Sequence, residues 1–208
     1  MIRITLPTDW SDISIGKFQE IYAILKMPDG LVLEKDIKIL AVLTGQSEDV
    51  IGNVDIEDYA EMMQRISFIN TLPLSDKIPT QVKFDGVKYN LQMKINKMKL
   101  AQYIDLEVLS KSQDEIIYNM HKILAIFMSD SKTYSTEDML RRANIFKAKM
   151  TIDIAYPITV FFYLHFTHLL NATLNYLESE ANKQVKQLNE MLPTTTRKDG
   201  SGISFWKN

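Results

Sequence analysis

The chain contains no cysteine. Disulfide bonds and thiolate metal sites are therefore excluded, because both require cysteine sulfur. Glycine is scarce, with seven in 208 residues, and none of the seven stands in a phosphate-cradling loop motif. Few glycines together with eleven methionines are typical of a helical protein whose packing surfaces can adapt to different partners.

An excess of positive charge is also missing, since 24 Lys and Arg face 26 Asp and Glu and the net charge is −2. A nucleic-acid binder needs a basic surface that neutralises phosphates, so we expect no nucleic acid among the partners. The apolar fraction of 46% and the charged fraction of 24% are those of an ordinary globular protein. A chain of this length can bury a core as one domain or as two small ones.

Catalytic motifs are absent from the sequence. No serine stands in a nucleophile elbow, and none has a histidine placed to suggest a triad. His165 and His168 have the i,i+3 spacing of some metal ligands, but no further ligand type lies near them, so packed histidines are the favoured interpretation. Five carboxylates lie close together in the sequence: Asp49, Asp55, Glu57, Asp58 and Glu61. Their positions at predicted helix starts explain them as helix caps and as partners of the helix dipole. We predict a non-enzymatic protein with no cofactor and no metal.

An uncharged stretch runs from Ile154 to Leu177, between Asp153 and Glu178. Its length alone would cross a bilayer. However, it contains Pro157, two histidines and several polar residues, which are costly in hydrocarbon, and the nearest charges on both sides are carboxylates. We therefore predict no membrane span but a central helix around which the other helices pack.

The remaining periodicities predict a mainly α fold: a multi-helix bundle with one small β-hairpin and a long C-terminal helix. The hairpin is predicted where apolar residues alternate from Val82 to Met93 around the turn dipeptide Asp85-Gly86. The other helices are predicted at 14–26, 34–43, 55–69, 96–110, 113–128 and from Ser135 onward, with a short helical turn after Ser47. Their predicted caps include Ser14, Ser47, Asn96 and Ser135, and the second helix is predicted to stop at Thr44-Gly45. We predict an N-terminal helical subdomain (1–72), a hairpin plus helical core (73–178), and a protruding helix end with the C-terminal tail (179–208).

The C-terminal region carries the predicted partner-binding residues. Beyond Glu178 the sequence becomes charged, yet an apolar stripe continues at intervals of three and four until Pro193. The stripe comprises Leu170, Leu174, Leu177, Ala181, Val185, Leu188 and Leu192. Phe205 and Trp206 follow in a tail with nothing local to bury them, which is typical either of interface anchors or of a disordered tail. We predict Leu188, Leu192, Phe205 and Trp206 as the contacts to a partner.

A local basic patch is predicted on the helix that begins near Ser135. It consists of Arg141, Arg142, Lys147 and Lys149. A solvated helix face is the default interpretation, and an acidic partner is the alternative.

The segment from Val82 to Leu170 resembles a group of tailed-bacteriophage morphogenesis proteins. The residues that carry the resemblance are Phe84, Gly86 and Tyr89, then Lys97-Met98, Tyr103-Ile104-Asp105-Leu106, His121-Lys122-Ile123-Leu124-Ala125, and finally Phe161, Phe162 and Leu164. Within this pattern, we expect Ile104 to face the core and Asp105 to point to solvent or to the hairpin.

The resemblance implies a non-enzymatic phage assembly protein that binds other phage proteins. The first expectation is a tail-assembly chaperone whose client is the tape measure protein. The alternative is a structural subunit of the virion, in the tail or the head-tail connector, held by its C-terminal arm. A membrane-associated or enzymatic protein is the outside alternative. A homo-oligomer is a further expectation, and the expected location is the host cytoplasm during assembly or, for a subunit, the virion.

Overall fold

The structure is a computed structural model that describes residues 5–28, 31–73, 75, 77–94, 97–129 and 133–191; for 169–177 and 187–191 it describes the backbone alone. The predicted fold class is confirmed, because the chain is mainly helical with one small antiparallel sheet. It divides into two compact units, 1–165 and 166–208. The three segments predicted from the sequence remain a prediction.

Nine α-helices lie in the described part of the chain, together with 3-10 turns at Trp10–Asp12 and Ser67–Asn70. The helices are α1 (Ile15–Leu25), α2 (Val32–Thr44), α3 (Glu48–Gly52), α4 (Ile56–Arg65), α5 (Leu100–Leu109), α6 (Gln113–Tyr118), α7 (Met120–Phe127), α8 (Thr136–Lys149) and α9 (Ile152–Met191). The strands are β1 (Gln81–Phe84), β2 (Val87–Leu91) and β3 (Met128–Ser129), in the order β1-β2-β3.

Serine side chains begin several of these helices. Ser14, Ser47 and Ser135 each accept a hydrogen bond from the backbone N–H three residues later, which satisfies a donor that the helix itself cannot pair. These three caps were predicted from the sequence. The stop of α2 at Thr44-Gly45 is also confirmed, since Gly45 takes a left-handed conformation with φ 70°.

The hairpin has the predicted turn. Asp85 and Gly86 both have positive φ, 51° and 81°, as a two-residue hairpin turn requires. The pairing Val82↔Tyr89 places two apolar residues opposite each other. The Tyr89 ring meets the Phe146 ring of α8 edge to face at 5.1 Å, so the sheet packs on that helix. The predicted alternation up to Met93 is too long, because β2 ends at Leu91 and Met93 is exposed.

The predicted helix 113–128 is two helices followed by a strand. Asn119 interrupts it with φ −101° and ψ 7°, and its side-chain NH₂ donates to the carbonyl of Leu109. At the other end Met128 pairs with Leu91, which draws the backbone into the sheet as β3. The single-helix prediction is therefore wrong, because an asparagine contact and a strand partner compete with helix continuation.

Two other predicted helix boundaries also moved. α5 begins at Leu100 after Lys99, whose backbone N–H donates to the Gln102 side chain at 2.9 Å, whereas the predicted cap Asn96 lies outside the described residues. The helix predicted at 55–69 ends at Arg65, and a 3-10 turn covers Ser67–Asn70.

The core of the unit 1–165 is centred on α7, not on the uncharged stretch. Seven of the eight residues of α7 are buried. In α9 the buried residues include Ile152, Ala155, Ile158 and Phe162, whereas Tyr163 and Leu164 are 45% and 52% exposed. The rings of Phe127 and Phe162 stack at 3.6 Å, which joins α7 to the first turns of α9. The prediction of α9 as the centre is corrected, because α7 is covered on nearly every side.

The starts of α1 and α9 are joined by backbone hydrogen bonds. The N–H of Ile15 donates to the carbonyl of Met150, and the N–H of Ile152 donates to the carbonyl of Ile13, both at 2.9 Å. Gly16 permits a close crossing beside this contact, because a Cβ there would lie 3.1 Å from the Lys147 carbonyl oxygen. The N-terminal helices are thereby fixed against α8 and the beginning of α9.

Candidate functional site

The predicted partner contacts lie at or beyond the end of the described chain. Leu188 belongs to α9, where the backbone alone is described, and Leu192, Phe205 and Trp206 lie outside the described residues. Val185, a described member of the same stripe, is 55% exposed. The four predicted contacts therefore stay predictions, and the exposed Val185 agrees with a stripe that is open to a partner.

The histidines of the uncharged stretch belong to no ligand cluster among the side chains that the structure describes. His165 is exposed and its ring lies 4.1 Å from the ring of Phe161, and His168 is exposed as well. Among the described residues, no three His, Asp or Glu side chains are grouped so that they could hold a metal ion.

The carboxylates of the cluster from Asp49 to Glu61 are exposed. Asp55 stands at the N-cap position of α4, and Glu57 and Asp58 lie in its first turn. These positions favour negative charge because of the helix dipole, as the sequence predicted. A pair of carboxylates for acid-base catalysis would need burial to separate the two pKa values, and this cluster lacks that burial.

The predicted basic patch is not one solvated face. Arg142 is fully buried, and its guanidinium donates to the carbonyl of Ala125 at 3.1 Å. This carbonyl belongs to the last turn of α7, where the helix dipole favours a positive charge. Lys149 forms an ion pair with Asp85 of the hairpin turn, and Arg141 remains half exposed near Asp138. The prediction of a solvated patch is corrected, because Arg142 serves the packing of α8 on α7.

Gln19 and His121 form a buried polar contact between α1 and α7. The side-chain NH₂ of Gln19 donates to the carbonyls of Ile117 and Tyr118 and lies 3.1 Å from Nδ1 of His121. Because an amide nitrogen offers no acceptor to a ring N–H, this contact disfavours a proton on Nδ1 of His121. Burial, reinforced by the charges of Lys147 and Lys122, lowers the pKa of His121 to about 4.

Asp105 pairs with Tyr134 at the other side of the unit. Its carboxylate accepts hydrogen bonds from the Tyr134 hydroxyl at 2.5 Å and from the Thr136 hydroxyl at 3.3 Å. Burial and the Asp105 hydrogen bond raise the pKa of Tyr134, so the phenol stays protonated. The pair fastens α5 to the start of α8 and borders a cavity of about 490 Å³ whose lining includes Asn90, Gln92, Lys97, Lys99, Gln102 and Thr133. Asp105 is thus half-buried and paired with Tyr134, not with the hairpin.

A groove lies between α1 and α2, and it was not predicted from the sequence. The two helices are antiparallel, because Lys17 of α1 donates to the carbonyl of Leu43 at 3.0 Å and Lys35 of α2 donates to that of Met27 at 2.7 Å. The groove has a volume of about 540 Å³. Its lining is Glu20, Ile24, Met27, Lys38, Ala41, Val42, Gly45, Gln46, Ser47 and Glu48.

Large apolar side chains are exposed in the segment where α1 stops and α2 starts, and one of them, Met27, also lines the groove. They are Leu25, Met27, Leu31, Val32 and Leu33, with exposed fractions of 55%, 39%, 72%, 78% and 49%. We call these five residues, together with the groove lining, the α1–α2 surface. Scattered apolar residues on a protein surface need no explanation, but several together beside a groove are typical of a binding site.

A second exposed apolar set lies along α5. Leu100, Ile104 and Val108 are spaced by four residues, so they share one helix face, and their exposed fractions are 74%, 51% and 57%. We call these three residues the α5 stripe. The expectation that Ile104 faces the core is wrong; Leu106 is the buried residue of this helix, because it lies on the side turned towards α7.

The chain matches no protein-family model, no curated protein and no solved structure. Over the residues that the structure describes, no helix is both long enough and apolar enough to cross a bilayer.

Proposed function

We propose that the chain is a non-enzymatic phage assembly protein, a tail-assembly chaperone that binds another phage protein through the α1–α2 surface. The resemblance of Val82–Leu170 to phage morphogenesis proteins supports the biological setting. The observation that carries the proposal is the groove itself, with the exposed apolar residues beside it. A chaperone that shields an apolar client segment has an exposed apolar surface before the client binds.

The shape and chemistry of the surface favour a helical client segment. Two antiparallel helices leave a groove in which a third helix can lie, with its apolar face inward. Ile24, Ala41 and Val42 contribute apolar lining, whereas Glu20, Lys38 and Glu48 contribute charges of both signs. Met27 can adapt to different partner shapes, because its side chain is unbranched and flexible. We therefore propose an amphipathic helix of the tape measure protein as the client.

The test measures binding of the purified chain to a fluorescent peptide from an amphipathic helix of the same phage's tape measure protein. The double variant Met27→Asp/Val32→Asp places two charges where apolar client atoms would lie. We expect it to weaken binding by about tenfold or more, since desolvating each charge against an apolar helix is unfavourable. Its melting temperature should stay close to that of the original chain, because both residues are exposed.

Leu100→Asp on the α5 stripe is the control, because it adds a charge elsewhere on the same unit at a residue about as exposed as Val32. We expect the control to bind the peptide as the original chain does. Unchanged binding by the double variant would contradict the α1–α2 surface as the client site. A loss in the control alone would move the site to the α5 stripe.

A virion subunit is the second candidate function, and the length of α9 favours it. The helix spans Ile152–Met191, 40 residues, which is far longer than the helices of an ordinary globular domain. A subunit would use such a helix to hold its neighbours in the particle. The particle composition separates the two candidates, because a chaperone leaves before the particle is complete.

A further inference from the structure

The apolar stripe of α9 follows an 11-residue repeat. Apolar residues stand at 170, 174 and 177, and the same offsets of zero, four and seven recur at 181, 185 and 188, before Leu192 opens a third repeat. Eleven residues over three turns give about 3.67 residues per turn, which is close to the natural 3.6. A stripe with this period stays on one helix face with little drift and is typical of helices that pair along their length.

The structure provides the backbone that this repeat requires. α9 is helical without interruption up to Met191, so positions 170 to 188 of the stripe lie on a single helix. Ala181 and Val185, whose side chains are described, are both exposed. Long helices are stabilised chiefly by packing their apolar face, not by helix propensity, so the exposure of Ala181 and Val185 favours a partner for this part of the stripe.

We propose that this stripe packs against the same stripe of a second copy of the chain, forming a coiled coil along α9 over residues 170–188. A seam with an 11-residue period remains in contact only with a helix of the same period, and a second copy supplies that period by construction. The small side chain of Ala181 lies at the midpoint of the stripe and allows the two backbones to approach there.

The charges beside the stripe fit self-pairing. The helix positions that flank it are Thr173, Glu178, Gln184 and Asn189, of which only Glu178 is charged. Two identical copies therefore meet with little repulsion between like charges, which identical charged flanks would create. On another face of the helix, Lys183 forms an ion pair with Glu180 of its own chain at 2.8 Å, so these two charges need no partner on a second copy.

The absence of cysteine makes the pairing directly testable by disulfide formation. Ala181 is the midpoint of the stripe, so two fully overlapped copies bring both residues 181 together whichever direction the helices run. We expect Ala181→Cys to form a cross-linked dimer under mild oxidation at least about tenfold faster than Lys183→Cys. Residue 183 is exposed as well but lies about 200° round the helix from residue 181. Equal rates for the two variants, or no cross-link at residue 181, would overturn the proposal.

Light scattering of the full chain gives an independent measurement. The original chain should have twice the mass of one copy, and Val185→Lys, which places a charge in the seam, should have the mass of one copy at the same concentration. A chain that is monomeric before the substitution, or still dimeric after it, would contradict the seam. Met27→Asp/Val32→Asp should remain dimeric, so this inference and the proposed client site can fail separately.

Discussion

His121 is the residue whose protonation the fold opposes most clearly. It is buried, its Nδ1 faces the amide nitrogen of Gln19 at 3.1 Å, and the charges of Lys147 and Lys122 add to the cost of protonation. An imidazolium would present a second donor to the amide of Gln19 and would have to lose its hydration in an apolar core. The packing of α1 on α7 therefore depends on a neutral ring.

This dependence predicts a loss of stability in mild acid. The folded-state pKa of about 4 lies below the unfolded value of 6.5, so the unfolded chain binds the proton more strongly. The contribution of His121 is fully present above pH 6.5 and decreases as the pH falls towards 4. At pH 5 the free energy of unfolding should be lower than at pH 7 by about 2 kcal/mol from this residue.

Urea unfolding at pH 7 and pH 5 measures this effect. His121→Gln is the matched variant, because its side-chain oxygen can accept from Gln19 but does not titrate. We expect the variant to lose about 2 kcal/mol less than the original chain between the two pH values. The same loss in both proteins would assign the acid sensitivity to other groups.

For individual residues, the sequence predicted helix caps but not contacts between residues that are distant in the chain. The caps Ser14, Ser47 and Ser135 could be predicted because a cap depends on a residue and its next three neighbours. The burial of Arg142 could not, because its partner is the carbonyl of Ala125 on another helix. Arg141 and Arg142 are alike in sequence, and only the packing of α8 on α7 distinguishes them.

Among the elements, the hairpin turn depends on a backbone conformation that glycine adopts more easily than other residues. Gly86 has φ 81°, a conformation that strains any residue with a Cβ, although the space around a Cβ there is open. Gly86→Ala should therefore lower the free energy of unfolding by about 1 kcal/mol through the backbone alone. Gly52→Ala is the control, since Gly52 lies in the last turn of α3 without positive φ and has equally open surroundings.

Thermal unfolding of the two variants provides the measurement. We expect a lower melting temperature for Gly86→Ala and an unchanged or slightly higher one for Gly52→Ala, because alanine is the better helix former. A Gly86→Ala chain as stable as the original would mean that the turn conformation does not constrain the hairpin.

The hairpin and most helices could be predicted because periodicity and turn residues are local signals. The break at Asn119 and the strand β3 could not, since Met128 leaves the helical pattern to pair with Leu91, which lies far from it in sequence. The α5 stripe was missed for a related reason. Either face of α5 offers apolar residues, and only contact with α7 decides that Leu106 is buried and Ile104 is exposed.

For the whole molecule, we propose that its function is to bind another protein. The sequence contains a signal for the α1–α2 surface, because Leu31, Val32 and Leu33 are consecutive apolar residues that lie before the predicted helix start at residue 34. Consecutive apolar residues at a helix start cannot all face one core. The groove itself could not be predicted, because it requires the relative placement of two helices.

Mass spectrometry tests whether the chain is an assembly chaperone. It is applied to purified infectious particles and to complexes isolated from infected cells through a tag on the tape measure protein. We expect the chain to be absent from the particles and present with the tape measure protein before assembly is complete. A fixed copy number in the particles would contradict the chaperone and identify a virion subunit. Absence from both preparations would contradict a role in phage assembly altogether.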